Sequence, residues 1–297
     1  MAPPRLVEDR ETVSVQVARR RPRMPKLLTP VDLGALALSH RVVVLACPGR
    51  ARWTAPSYTR QASSGGLVIH ALVPDQDPEG PAVHQHPPGK ATWSRVNDVV
   101  HAKGGTSVAQ ISYDAVAAAS NKKTADATLQ AYRSAATLLR AAGFDGIELD
   151  ATRHVAPLPA TPLLETVQAL IDIWGADRVG VQLAPFAWIT GRNDKRTVNF
   201  HDELLSALAG MEIAWLHLSG TATPERGDLS TSALGQGLRK AYHGMVIASG
   251  LYTPASAIAA VESRWADAIG FTLVSGYGDD LIRTITAAGT PSRAESR

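Results

Sequence analysis

The chain has 297 residues and a single cysteine, Cys47, so no internal disulfide can form and a reducing cytoplasm fits best. No cysteine and histidine residues fall at metal-ligand spacing. The pair His84 and His86 lies in a Pro-rich stretch without partners and reads as loop, and no metal site is expected. Nowhere does an apolar run approach the roughly 18 residues that a membrane span requires. Charge of one sign is scarce as well: the formal net charge is +3. Much of that excess sits in Arg5, Arg10, Arg19, Arg20, Arg21 and Arg23. No aromatic or motif context accompanies these arginines, so residues 1–24 read as a disordered leader and not as a nucleic-acid surface. The triple Arg19-Arg20-Arg21 does not read as an export signal, because Pro22, Pro25 and Lys26 stand where an apolar segment would have to follow.

What is present is ordinary for a globular protein: 45% hydrophobic and 19% charged residues, enough chain for one α/β barrel. Short β-rich runs alternate with helical patterns eight times, the pattern of a parallel sheet closed by crossover helices. The expected strands are Val42 to Ala46, Leu67 to Leu72, Ser107 to Ser112 and Gly146 to Asp150. Val179 to Ala184, Ala214 to Ser219, Met245 to Ser249 and Ala268 to Thr272 complete the set. Nearly every position in them is apolar, as strands buried on both faces require. Helical punctuation lies between them. Leu129, Tyr132, Ala136 and Leu139 mark one face, with Thr124 as a cap and Gly143 as a stop. Pro162 and Gly175 bracket the next helix. The expectation is a (β/α)8 barrel over residues 25–288 and a disordered tail over 289–297. Two segments, Pro74 to Lys90 and Phe186 to Thr197, follow strands and would lie over the C-terminal mouth, where barrel sites are built.

Leu28-Thr29-Pro30 with Leu33-Gly34-Ala35-Leu36 opens an ordered set of segments. Arg41-Val42-Val43-Val44, Tyr58 to Ile69 (YTRQASSGGLVI) and His101-Ala102-Lys103-Gly104-Gly105 follow. Ala141 to Leu149 (AAGFDGIEL), Arg178 to Pro185 (RVGVQLAP) and Trp215 to Ser219 (WLHLS) continue it. Taken in order, these resemble the old yellow enzyme family of FMN-dependent ene-reductases, over residues 26 to 285. The resemblance implies the barrel fold and makes the mouth the place to look for a site.

Fold resemblance does not carry activity, and the positions that the family uses differ here. Its third strand ends Gln-Leu-Trp-His, whose Gln bonds the flavin ring; this chain has Gln110-Ile111-Ser112-Tyr113. The family's pair that grips a substrate carbonyl is replaced by Asp150 and Arg153, and its proton-donating tyrosine by Val155. An Arg beside the flavin becomes Gln182. The Gly-Arg pair that holds the phosphate becomes Thr272-Leu273. Each lost charge-assisted contact is worth about 1.5–3 kcal/mol, so two of them weaken nucleotide binding by roughly two to four powers of ten. Backbone N–H groups around Ser249-Gly250 remain able to hold a phosphate.

On that balance the expectation is a flavin-independent barrel in specialised metabolism, a cyclase or isomerase acting on a small hydrophobic intermediate, with no cofactor. Asp150, Tyr113 and His70 are the candidate proton-transfer residues. Gln110, Gln182, Arg153 and Trp188 are the candidates for binding substrate. If FMN binds instead, Gln110, Gln182, Ser249, Gly250 and Thr272 would hold it. Glu148 alternates onto the side of Asp150 but deeper and reads as structural, as does His217. Two other readings stay open: an FMN-dependent oxidoreductase with unusual contacts, and a non-catalytic barrel that binds a ligand or stabilises a partner enzyme. No nucleic acid or membrane is expected as a partner, and a homodimer stays open.

Overall fold

The computed structural model describes residues 24–46, 60–72, 90–112, 125–153, 160–184, 195–223, 227–272 and 278–289. Its strands are β1 (Val31–Leu33), β2 (Leu36–Leu38), β3 (Val42–Ala46), β4 (Leu67–Leu72), β5 (Thr106–Ser112) and β6 (Gly146–Asp150). They continue with β7 (Val179–Leu183), β8 (Trp215–Leu218), β9 (Ala222–Thr223), β10 (Gly227–Asp228), β11 (Val246–Ser249) and β12 (Ala268–Thr272). The helices are α1 (Lys90–Ala102), α2 (Ala125–Ala141), α3 (Thr161–Trp174), α4 (Lys195–Gly210), α5 (Ala233–Ala241), α6 (Pro254–Glu262) and α7 (Gly278–Ala288). Strands β3 to β8 with β11 and β12 form one closed barrel in the order β11-β12-β3-β4-β5-β6-β7-β8, every neighbouring pair parallel. Closed parallel strands with helices outside make this a (β/α)8 barrel.

Side chains alternate across each strand, and the alternation divides the core in two. Outward residues such as Val42, Val44 and Val68 pack under the helices with Tyr132, Leu170 and Val261. Inward residues Val43, Leu45, Leu67, Ile69, Val108, Trp215, Ile247 and Ala268 form a second cluster, joined by Val31, Leu33, Leu36 and Leu38 of the β1–β2 hairpin. Each fully buried side chain of this kind contributes about 1.5–3 kcal/mol.

The hairpin thus closes the N-terminal floor of the barrel, a feature the sequence pattern did not separate from its surroundings. Its turn is held against the barrel by the Ala35 N–H, which donates to the Asp177 carbonyl at 2.8 Å. Gly34 is required there, because a Cβ would meet that same oxygen at 2.2 Å and φ is +59°.

The helices begin and end where their sequences direct. A proline stands in the first turn of α3 and Gly175 is its C-cap, as the Pro162 and Gly175 positions predict. In α6 Thr253 caps the start, its side chain accepting from the Ser256 N–H while the Ser256 hydroxyl accepts from the Thr253 N–H; a reciprocal cap of this kind stabilises by about 1 kcal/mol. Thr124, the expected cap of α2, lies outside the described residues, as do the leader before residue 24 and the tail after residue 289. No helix among the described residues is long and apolar enough to cross a membrane.

Candidate active site

The C-terminal ends of the barrel strands lie opposite this floor. A cavity of about 460 Å³ lies there, within the size range of small-molecule sites. Its walls come from the ends of the strands. Leu45, Ile69 and Ala71 on β3 and β4 make one side apolar, while Gln110, Asp150, Gln182, Ser219 and Ser249 make the other side polar. Thr152, Gly220, Gly250, Leu251 and Thr272 complete the described rim. None of these described lining residues is a lysine or an arginine.

Beneath the polar side runs a continuous hydrogen-bonded chain across five successive strands, β5, β6, β7, β8 and β11. Strand register places Gln110 opposite Glu148 and Gln182 opposite His217, so their inward side chains meet. Gln110 Nε2 donates to Glu148 Oε1 at 2.7 Å and to Gln182 Oε1 at 2.8 Å. Trp215 Nε1 donates to Glu148 Oε2 at 2.6 Å. His217 Nδ1 stands 3.1 Å from Glu148 Oε1, and its Nε2 stands 2.8 Å from Ser249 Oγ. Glu148, Trp215 and His217 are all fully buried.

Because an ionised carboxylate only accepts, Glu148 fixes the groups around it. The Gln110 amide must turn its nitrogen inward, and His217 must carry its proton on Nδ1. Burial pushes the Glu148 carboxyl up. The charge and hydrogen bond of His217, with the bonds from Trp215 and Gln110, outweigh that and hold it below the ordinary value. The same ordering leaves Gln110 Oε1 and Gln182 Nε2 as the polar ends outside the chain. The cavity floor therefore offers a neutral acceptor beside a neutral donor. Asp150, half-buried at the end of β6, accepts the Thr152 N–H on Oδ1 at 2.9 Å, a turn cap on the strand's last residue.

The structure thus brings Gln110, Gln182, Asp150, Ser249, Gly250 and Thr272 to one cavity. Arg153 does not join them: it is exposed on the turn beyond Asp150 and is absent from the cavity lining. His70, expected to transfer protons at the site, does not face the cavity. Ile69 and Ala71 are the β4 residues facing the cavity, so alternation turns His70 outward. There its ring meets Trp93 at 6.1 Å and Phe144 at 5.8 Å between centroids. Burial among these groups pushes its pKa down to about 3, so it is an uncharged packing residue. Tyr113, Trp188, Val155, Leu273 and Cys47 lie outside the described residues. Glu148, Trp215 and His217 also join the site, through bonds that no single sequence segment displays. The signal lay in parity: polar residues stand at inward positions on five adjacent strands. No group of metal-ligating side chains occurs among the described residues.

No family model matches the chain. Individual proteins do. The chain is 26% identical to a 12-oxophytodienoate reductase-like protein of Solanum lycopersicum, over 82% of this chain and 84% of that one. It is 25% identical to chanoclavine-I aldehyde reductase fgaOx3 of Penicillium roqueforti, over 87% of each. It is 26% identical to flavin oxidoreductase hxnT of Emericella nidulans, over 62% of this chain and 66% of that one. Among solved structures, morphinone reductase in complex with tetrahydroNAD superposes with a TM-score of 0.63 at 23% identity, covering 84% of this chain and 86% of that one; this likeness speaks to the fold. The named relatives are reductases and a flavin oxidoreductase, which overturns the expectation of a flavin-independent cyclase or isomerase. The expectation of a site without any cofactor is overturned on the same finding. The lost cations weighed too heavily in that reading, since neutral amides and backbone donors also line the cavity.

Proposed function

This chain is a low-identity member of the old yellow enzyme family, and from that premise we propose that it is an FMN-dependent reductase of small apolar unsaturated carbonyl compounds. The observation that carries the proposal is the pair of amides at the cavity floor. Gln110 Oε1 and Gln182 Nε2 are an acceptor and a donor side by side, the complement of an imide edge such as the flavin pyrimidine presents. Leu45, Ile69 and Ala71 would pack the ring's apolar surface. The backbone N–H groups of Gly250 and Leu251, between β11 and the N-terminus of α6, would meet the phosphate. The residues therefore fit the group through neutral contacts.

When bound, FMN supplies the hydride that the reduction requires. The chain's own part is to seat the cofactor, exclude water and supply a proton. Asp150 is the one carboxyl group among the described lining residues, and we assign it the proton-handling role. The substrate class follows from the apolar half of the cavity and from the relatives, whose names are those of oxo-compound and aldehyde reductases. The single cysteine fits a reducing cytoplasm as the setting.

The test is anaerobic. Protein loaded with FMN should bleach on addition of a reduced nicotinamide and regain its colour when 2-cyclohexenone is added. Colour that never bleaches, or that returns only with oxygen, contradicts the proposal.

A further inference from the structure

The chain beneath the cavity ends in an arrangement that the reductase reading does not use. Glu148 accepts at His217 Nδ1 (3.1 Å), and His217 Nε2 meets Ser249 Oγ at 2.8 Å. Glu148 and His217 are fully buried, whereas Ser249 lines the cavity. These are the contacts of a nucleophile, its base and the group that orients the base. Ser249 is the last residue of β11, and Gly250 and Leu251 lead on toward α6. Ser249 ends its strand in the cavity wall, with Gly250 and Leu251 beside it in the lining.

We propose that Ser249, His217 and Glu148 form a nucleophilic triad, which gives the flavin-free cavity an acyl-transfer activity toward small apolar esters. Ser249 Oγ would attack the acyl carbon while its proton passes to His217 Nε2. The ester C–O bond then breaks and the leaving alcohol takes that proton. Water would release the acyl group by the same path, its proton going to His217 and then back to Ser249. Nothing is oxidised or reduced. The oxyanion would be met by the backbone N–H groups of Gly250 and Leu251, which follow the nucleophile in the cavity wall. Ser249 and His217 are the catalytic residues. Glu148 is a positioning residue, and its acceptance of Trp215 Nε1 and Gln110 Nε2 holds it in place. Among the described residues the titratable group in contact with His217 is Glu148, and Asp150 lies two residues further along β6 in the cavity lining. Strands β5, β7 and β11 present Gln110, Gln182 and Ser249.

The experiment treats full-length, flavin-free protein with an alkyl fluorophosphonate and maps the adduct by peptide mass. Labelling at Ser249 is expected, and it should be abolished in Ser249→Ala. Labelling should slow by about a hundredfold or more in His217→Gln, with native circular dichroism retained. Across the pH range the wild-type rate should fall as pH drops, with the slope of one proton. Glu148→Asp should keep that profile in part, and Glu148→Gln should lose it. No adduct at Ser249, or an adduct whose rate ignores both His217 and pH, overturns the proposal. The proposal stands apart from the reductase reading. Protein that binds FMN but resists the probe loses only the triad. Protein that is labelled yet never binds FMN loses only the flavin.

Discussion

Trp215 fits inside the barrel because its neighbour across the sheet, Gly180, has no side chain. The two are register partners on β7 and β8, and a Cβ at position 180 would stand 2.1 Å from the indole Cε2 and Nε1. Gly180→Ala should therefore push the indole away from Glu148. Overpacking costs about 1–3 kcal/mol, and losing a hydrogen bond to a charged acceptor adds about 1.5–3 kcal/mol. Thermal unfolding should show a large drop in Tm, and an unchanged Tm would mean that the ring has room to spare.

Glu148 is the hub of the buried chain, so removing its charge should be expensive. Breaking a buried pair from one side costs on the order of 3–5 kcal/mol, and Glu148→Gln should lose that much in urea unfolding. The pH dependence has a definite sign. The folded carboxyl is held below its ordinary value of 4.5, so its stabilisation is present above 4.5 and is lost as pH falls through the folded value. Glu148→Gln should flatten the stability profile in that acid window. A profile identical to wild type would remove Glu148 from the hub.

His70 makes a separate acid-sensitivity prediction. Its pKa is pushed from 6.5 down to about 3 by burial. The unfolded chain therefore binds the extra proton first, and stability falls as pH drops from 6.5 toward 3. The slope approaches about 1.4 kcal/mol per pH unit for one such group. Between pH 6.5 and 5 the replacement His70→Leu should reduce this slope. A part should remain, because burial also holds His40 below its ordinary value. An unchanged slope would place His70 in contact with solvent.

The amide pair predicts cofactor affinity. Gln182→Leu removes one neutral donor at the floor, worth about 0.5–1.5 kcal/mol, so FMN should bind roughly two- to twelvefold more weakly. Gln110→Leu should weaken FMN similarly and also lower stability, because Gln110 donates to Glu148. Fluorescence titration and urea unfolding measure the two effects separately.

The barrel was legible in the sequence because strands buried on both faces leave short apolar runs between helical patterns. Val42–Ala46, Leu67–Leu72, Gly146–Asp150 and Ala268–Thr272 are observed with the bounds expected. The β1–β2 hairpin was not legible, since strands of three residues carry too little alternation to register. His70 was misplaced because a polar residue at a strand's end draws notice regardless of which face it occupies. The apolar Ile69 and Ala71 beside it hold the inward positions. Glu148 and His217 were each readable as buried and structural. Their joining needed the register of β6 with β7 and of β7 with β8, which no single segment contains. The cofactor was misjudged because the exchange of arginine for Gln182 was read as a loss of charge. What the exchange leaves is an oriented donor.

The most direct measurement is a titration of flavin-free protein with FMN, followed by absorbance and by quenching of flavin fluorescence. Saturation at one FMN per chain is expected, with affinity lowered in Gln182→Leu. Absence of saturation at millimolar FMN, or binding indifferent to both Gln110 and Gln182, would contradict the FMN-dependent reading.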